Sequence, residues 1–259
     1  IRFAGEEIRS LPVLELRRRM GYAIQSIGLF PHWTVAQNIA TVLQLQKWSR
    51  GKKADRVDEL MALLGLESGL RERYPHQLSG GQQQRVGVAR ALAADPEVLL
   101  MDEPFGALDP VTRGALQQEI SRIHRLLGRT IVLVTHDIDE ALLLADQLVL
   151  MDNGEIVQQG SPRELLTRPA NGFVKDFFGR SELGVRLLSL HQVKAWVRAG
   201  EKPLPGEPLR DDMTLREALS AFVARQCDVL PVADAQGVPC GTLHFSDLLI
   251  TEGAREAIS

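Results

Sequence analysis

The sequence has few cysteines and few aromatic residues, and neither sign of charge predominates. Cys227 and Cys240 are the two cysteines among 259 residues, and aromatic residues make up 5% of the chain. Two cysteines are too few for a disulfide framework and predict idle or buried thiols in a reducing cytosol. A formal net charge of −3 is untypical of a strongly basic nucleic-acid binder, although a local basic patch is compatible with it. No apolar run approaches the roughly 20 residues that span a bilayer.

Apolar strands alternate with amphipathic helices along the chain. The sequence predicts strands at 20–25, 97–104 and 129–137, and helices at 54–65 and 109–128. Continuous apolar strands separated by helices predict a mainly parallel sheet that is covered on both faces. In such sheets ligands gather at the carboxyl ends of the strands, where this sequence places polar residues.

The helix at 109–128 carries clear start and stop signals. Asp109 is a suitable N-cap, Pro110 fits the first turn, and Gly128 is a suitable end. Its predicted apolar stripe consists of Leu116, Ile120, Ile123 and Leu127.

The stretch "PHQLSGGQQQRVGVARAL" (75–92) places Ser79, Gly80 and Gly81 at the start of another predicted helix. A helix N-terminus offers unpaired amide groups and a positive dipole end, and glycines let a ligand approach the backbone. The Ser79 hydroxyl adds a donor, so the turn suits a phosphate. By itself, such a triplet is more often a plain helix-capping turn.

Two acids and a histidine follow the predicted strands. Asp102 and Glu103 come directly after "VLLM", and His136 ends the next strand. One carboxylate can hold Mg²⁺, the other can orient or deprotonate an attacking water, and the histidine can contact a γ-phosphate. Taken singly, the acids are also typical of a solvated loop, and the histidine of a hydrogen-bonded loop residue.

These features form one ordered set. Gln25 is followed by "LSGGQQQR" (78–85), "VLLMDEP" (98–104), "ALD" (107–109) and "TH" (135–136). The set closely resembles the nucleotide-binding subunit of ATP-binding cassette (ABC) transporters over about residues 1–170. The resemblance implies a P-loop-NTPase-like α/β core with a mainly parallel sheet and a helical subdomain. It also implies ATP hydrolysis with Mg²⁺, at composite sites between two ATPase subunits.

The same resemblance implies a role for each motif residue. Gln25 would be the switch glutamine near Mg²⁺ and the γ-phosphate, Asp102 the magnesium acid, Glu103 the catalytic base and His136 the γ-phosphate sensor. Asp109 would link the two sites across the dimer. The residues that would grip ATP bound on the opposing subunit are Ser79, Gly80, Gly81 and Gln82.

One motif of the family is missing from these 259 residues. The phosphate loop has the form G-x-x-x-x-G-K-[ST], and "RGKKAD" (50–55) lacks both the leading glycine and the following Ser or Thr. The family places that loop before the switch glutamine. The first residues, "IRFAGEEI", begin at Ile1 and are typical of the interior of a longer chain. We therefore expect an N-terminally incomplete ABC chain, which as written neither binds ATP tightly nor hydrolyses it.

The composition of the sequence changes toward the carboxyl end. We expect an ABC ATPase domain over 1–180, then a proline-rich and charge-rich linker or an eroded first motif over 181–212. Residues 213–259 resemble one cystathionine-β-synthase-type (CBS) motif, a small α/β unit that usually occurs in pairs. A small dimerising module without a ligand remains an alternative.

An importer ATPase with such a tail resembles the ATPase subunits of osmoprotectant importers for quaternary amines such as glycine betaine, choline and proline betaine. The resemblance implies two kinds of partner: polytopic membrane permease subunits, and a second ATPase subunit that is a copy of this chain. It implies an indirect link to a substrate-binding protein, no nucleic acid, and a peripheral location on the cytoplasmic face of the inner membrane. "LFPHWTVAQNI" (29–39) would lie near the permease. Three alternatives stay open: an ATPase of another small-solute importer, a non-catalytic regulatory ABC-like protein, and an ABC ATPase acting on DNA or the ribosome.

Overall fold

The computed structural model describes residues 1–24, 28–106, 108–179, 182–201 and 205–249. The chain divides into two compact units, Ile1–His136 and Asp137–Ser259. Within the described ranges, no helix is long and apolar enough to cross a membrane.

The first unit contains five strands and six α-helices among its described residues. The strands are β1 (Arg2–Phe3), β2 (Glu6–Glu7), β3 (Met20–Ala23), β4 (Val98–Asp102) and β5 (Thr130–Val134). The helices are α1 (Val13–Arg18), α2 (Val35–Ile39), α3 (Thr41–Leu45), α4 (Arg50–Leu63), α5 (Gly80–Leu92) and α6 (Pro110–Leu127). The predicted strands and helices are therefore present, with ends shifted by a few residues.

Strands β3, β4 and β5 form a parallel sheet in that order. The register aligns Ala23 with Met101 and Leu133, and Asp102 with Val134. Parallel pairing through helical connections is the arrangement that the sequence predicts.

One face of this sheet is covered and the other is open. Ala23, Leu99 and Met101 are buried on the covered face, where α5 passes close to β3. On the opposite face, Val132 is 48% and Val134 56% exposed. The predictions of a buried strand at 129–137 and of a sheet covered on both faces are therefore wrong for the described chain. The reason is that β5 is the outer strand of the three and lacks a covering layer on that face.

The sequence signals of α6 act as expected at both ends. The Asp109 side chain caps the helix, and Gly128 ends it with a left-handed φ of 60°. Leu116, Ile120 and Ile123 are buried, whereas Leu127 is 36% exposed because it lies in the final turn. The predicted stripe is thus correct for three of its four members.

The second unit begins with α7 (Ile138–Leu144) and the antiparallel hairpin of β6 (Leu148–Asp152) and β7 (Glu155–Gly160). Asn153 and Gly154 join the hairpin strands with φ of 48° and 82°, as a two-residue turn requires. Helices α8 (Pro162–Thr167), α9 (Gly172–Phe177) and α10 (Leu183–Ser189) follow.

The remaining elements share one core. They are β8 (Leu209–Arg210), α11 (Leu215–Arg225), β9 (Val229–Ala233) and β10 (Pro239–His244), with 3₁₀ turns at Val193–Ala195 and Phe245–Leu249. Val193, Trp196 and Leu209 pack with Leu215 and Phe222 in this core. Part of the stretch expected to be a linker therefore contributes to the small α/β module, and the domain boundaries at 180 and 212 stay a prediction.

Candidate functional site

The turn at Ser79 is the N-terminus of α5. Ser79 Oγ accepts a hydrogen bond from the Gln82 amide at 3.3 Å, and Gln82 Oε1 accepts one from the Ser79 amide at 3.0 Å. This reciprocal pair is a capping box, so Ser79 does cap the helix. Ser79 and Gly80 are exposed, and the Gly80 and Gly81 amides precede the first intrahelical bond, which the Gln83 amide makes to the Ser79 carbonyl oxygen. The turn can therefore receive an anion through backbone donors and the helix dipole.

Asp102 and Glu103 end β4 beside the end of β5. The Glu103 amide donates to the Val134 carbonyl oxygen at 2.9 Å, which extends the strand pairing by one residue. Glu103 then turns sharply with a φ of 43°, a left-handed conformation that is unusual for a residue with a Cβ. Strained backbone of this kind concentrates at functional sites.

The structure brings Glu103 and His136 together. His136 Nδ1 lies 2.9 Å from Glu103 Oε1, although 33 positions separate the two residues in the chain. The His136 side chain is 76% exposed and that of Glu103 is 26% exposed. A half-buried carboxylate beside an exposed imidazole can orient a water and move a proton.

Asp109 lies at the start of α6, on the helix that follows these acids. Its Oδ1 accepts hydrogen bonds from the Val111 amide at 3.1 Å and the Thr112 amide at 3.0 Å. Hydrogen bonds from the Thr112 side chain, and then from these backbone amides, hold the pKa of the Asp109 carboxyl below its usual range. Asp109 is therefore a fixed, ionised group on the surface at neutral pH.

Most predicted site residues can be placed, and they fall into two groups. One group consists of Asp102, Glu103 and His136, and the other of Ser79–Gln82 and Asp109. Gln25, the predicted switch glutamine, lies outside the described residues, as does Ala107 of the "ALD" motif.

A magnesium ion fits the donor set at the end of β4. The described residues contain no cluster of three His, Cys, Asp or Glu side chains that could hold a metal. Mg²⁺ in nucleotide enzymes usually takes one or two carboxylates and completes its shell with phosphates and water. Asp102 offers a half-buried carboxylate of this kind, so it could hold the ion together with a bound nucleotide.

Sequence reasoning missed two residues near these motifs, Asn38 and Thr112. Asn38 is fully buried and joins the turn at Phe30–Thr34 to α2 through its side-chain amide. Thr112 contacts Asp109 and lies against Gly81. Asn38 follows another amide, Gln37, in the short helix α2, so neither Asn38 nor Thr112 has a sequence signal that would set it apart.

Comparisons with known proteins identify the family of the chain. Residues 1–106 match the family described as "ABC transporter". The chain is 81% identical over 250 residues to the "Glycine betaine uptake system ATP-binding protein YehX" of Escherichia coli (strain K12) and covers 81% of that protein. It is 47% identical to the "Glycine betaine/carnitine/choline transport ATP-binding protein OpuCA" of Bacillus subtilis (strain 168), over 90% of this chain and 60% of that protein.

Solved structures show the same fold. The ATP-binding cassette MJ0796, in a dimeric post-hydrolysis state bound to ADP and Pi, aligns with a TM-score of 0.54 and 31% identity. That alignment covers 62% of this chain and 72% of the cassette. For cbiO1 from Clostridium perfringens, part of the ABC transporter complex cbiONQ, the TM-score is 0.59 at 29% identity over 70% of each chain. The predicted α/β ABC ATPase fold is confirmed, and the chain belongs to the ATP-binding proteins of ABC transporters.

Proposed function

We propose that this chain is an ATP-hydrolysing subunit that energises an importer of osmoprotectants such as glycine betaine, choline or proline betaine. The observation that carries the proposal is the 81% identity, over 96% of the chain, to a protein named as the ATP-binding protein of a glycine betaine uptake system. Relatives named for choline transport and for carnitine transport are each 45% identical and support the same solute class.

The partners and location follow from the same proposal. The chain would work with polytopic membrane permease subunits, with a second ATPase subunit that is a copy of itself, and indirectly with a substrate-binding protein. It would lie on the cytoplasmic face of the inner membrane as a peripheral subunit and would not bind nucleic acid. The exposed Phe30, whose ring lies 4.6 Å from that of Trp33, supports a permease contact at this turn.

The two groups of residues would act on two different nucleotides, and the first group would act on ATP bound with Mg²⁺ to this chain. Bound ATP with Mg²⁺ supplies the γ-phosphoryl group that water attacks. Glu103 would orient that water and accept its proton. His136 would donate from Nδ1 to the Glu103 carboxylate, which leaves Nε2 to face the phosphate. Asp102 would hold the metal.

The second group would serve the nucleotide of the partner subunit. Ser79–Gln82 would present first-turn amides to its γ-phosphate, and Asp109 would lie between the two sites. Gln25 is proposed to contact the metal and γ-phosphate. The 259 residues contain no G-x-x-x-x-G-K-[ST] sequence, so we also propose that this chain alone does not hydrolyse ATP. ATP turnover by the purified 259-residue chain would contradict that second statement.

Replacing Glu103 with Gln tests the transport role. We expect Glu103→Gln, introduced into the chromosomal gene, to reduce uptake of radiolabelled glycine betaine by about 100-fold or more in cells that lack other osmoprotectant importers, because the base is lost while the shape is kept. Glu155→Gln, on the exposed strand β7, is the matched control and should leave uptake unchanged.

The outcomes separate the alternatives. Wild-type uptake with Glu103→Gln would favour the non-catalytic, regulatory function, which the missing phosphate loop supports. No uptake of glycine betaine, choline or proline betaine by the wild type would favour an importer of another small solute. Co-purification of the chain with DNA or ribosomes instead of a permease would contradict the importer proposal.

We further infer that the module around α11, β9 and β10 is a single CBS-like unit. Its helix, two antiparallel strands and closing 3₁₀ turn support this assignment. Whether such a unit binds an adenine nucleotide is tested by calorimetry with AMP and ATP on the full chain.

A further inference from the structure

Thr112 lies between the two motifs of the second group. It is the third residue of α6, half-buried, and its side chain branches into a methyl and a hydroxyl group. The two branches contact different neighbours, so one side chain can connect two motifs.

The methyl branch packs against Gly81. A Cβ built on Gly81 would overlap the Cγ2 methyl of Thr112, and it would lie 3.7 Å from Cβ and 3.9 Å from Oγ1 of the same residue. At Gly80 the corresponding space is open, with nothing within 4 Å. The two adjacent glycines therefore differ: Gly81 is needed so that the first turn of α5 can approach α6, and Gly80 is not.

The hydroxyl branch binds Asp109. The Thr112 and Val111 amides donate to Asp109 Oδ1 at 3.0 Å and 3.1 Å, and a hydrogen bond from the Thr112 side chain is the largest cause that lowers the pKa of the Asp109 carboxyl. Three donors on one carboxylate fix its orientation and favour its ionised form.

We propose that Thr112 is a positioning residue that holds the Ser79–Gln82 turn and Asp109 at a fixed separation, through its methyl on Gly81 and its hydroxyl on Asp109. That these two motifs act on nucleotide rests on the proposed function, whereas the two contacts do not. The consequence is that the turn and Asp109 move as one body, so a shift of either at the dimer interface is transmitted to the other.

The methyl contact is tested by rescue in the purified chain. Gly81→Ala should lower the melting temperature by about 5 °C, because the new methyl overlaps Thr112 Cγ2. Thr112→Ser removes that methyl and keeps the hydroxyl, so the double variant should recover most of the loss. Gly80→Ala is the matched control and should show no loss, since its Cβ meets open space. Equal losses for Gly80→Ala and Gly81→Ala, or no recovery in the double variant, would overturn the contact.

The hydroxyl contact is tested by the titration of Asp109. Thr112→Val keeps the shape of the side chain and removes the donor, so the carboxyl ¹³C resonance of Asp109 should titrate at a higher pH than in the wild type. Thr112→Ser should leave that titration unchanged. If Thr112 only filled space, Thr112→Ser would change the titration of Asp109 and Thr112→Val would not. An unchanged titration in Thr112→Val would overturn the role of the hydroxyl.

The functional consequence is tested in the assembled transporter. Thr112→Val, introduced into the chromosomal gene, should reduce glycine betaine uptake severalfold, and Thr130→Val, on the exposed side of β5, is the matched control. Full uptake by Thr112→Val would overturn the coupling of the two motifs. An absence of uptake by the wild type would contradict the proposed function instead, and the rescue and titration experiments would still decide the role of Thr112.

Discussion

At the scale of single residues, Asn38 organises the turn that follows β3. Its Nδ2 lies 3.1 Å from the carbonyl oxygens of Phe30 and Trp33, and 3.0 Å from that of Thr34. Its Oδ1 accepts a hydrogen bond from the Phe30 amide at 2.7 Å. Because the side chain is fully buried, no water can replace these bonds if the amide is removed.

We expect Asn38→Ala to lower the free energy of unfolding by about 3 kcal/mol, because several buried backbone groups lose their partner. Urea denaturation at pH 7 measures the change. Gln44→Ala, which removes an exposed amide from α3, is the control and should alter the free energy by less than about 0.5 kcal/mol. A similar effect for both variants would show that Asn38 does not organise the turn.

The sequence predicted part of this residue-scale picture. Asp102, Glu103 and His136 follow strands that the apolar pattern identifies, and the structure places Glu103 against His136. Their catalytic roles, like those of Ser79–Gln82 and Asp109, stay predictions. Thr112 and Asn38 could not be predicted, because their contacts depend on how neighbouring turns pack and leave no periodic pattern in the sequence.

At the scale of elements, α6 is the helix whose limits the sequence specifies most clearly. The N-cap at Asp109 and the left-handed end at Gly128 are local interactions, so they can be deduced without knowledge of the rest of the fold. The exposure of Leu127 could not be deduced, because it depends on what packs against the last turn.

Two glycines of this helix should respond in opposite directions to alanine. Gly128→Ala should lower the free energy of unfolding by about 1 kcal/mol, because φ is 60° and a Cβ is disfavoured there. Gly114→Ala, in the helix interior with open space around its Cβ, should raise it by about 0.5 to 1 kcal/mol. Urea denaturation of both variants measures the difference, and changes of the same sign would contradict the left-handed end.

At this scale, the open face of β5 could not be predicted from the apolar pattern of the sequence. An apolar run predicts a strand, but periodicity does not show how many layers cover it. Residues 129–137 were expected to be buried on both sides, yet alternate side chains of β5 are exposed. That difference concerns packing and not secondary structure, so only the three-dimensional structure reveals it.

At the scale of the whole molecule, ion pairs and core packing attach residues 193–201 to the C-terminal module. Arg198 Nη2 lies 2.6 Å from Asp247 Oδ1, and Nε lies 3.1 Å from Oδ2. Glu201 Oε2 lies 2.8 Å from His244 Nε2 and also accepts a bond from Thr242. These contacts connect β10 and the last 3₁₀ turn to a segment about 40 residues earlier in the chain.

The ion pair makes the stability of this module depend on acid pH. Burial of Asp247 opposes its ionisation, but hydrogen bonds from Arg198 and the His244 amide outweigh it and hold the pKa of Asp247 below its usual range. Hydrogen bonds from Thr242 and His244 likewise lower the pKa of Glu201. Since both folded-state pKa values are depressed, the stabilisation is complete above the unfolded-state values of about 4 and is lost as the pH falls through the folded values.

We therefore expect Asp247→Asn to lower the free energy of unfolding of the module by about 2 kcal/mol at pH 7 and to flatten its decline below about pH 4. Urea denaturation at a series of pH values measures both effects. Asp55→Asn, on the exposed side of α4, should change neither. An unaltered acid decline in Asp247→Asn would show that other groups cause it.

The left-handed backbone at Glu103 lowers the stability of the fold at a residue whose carboxylate the activity requires. A non-glycine residue at φ 43° raises the free energy of the folded chain by roughly 1 to 3 kcal/mol. Glycine would remove that strain, together with the carboxylate that contacts His136. A library selected for heat resistance alone should therefore enrich glycine at position 103 and lose transport, whereas one selected for growth under osmotic stress should retain glutamate there.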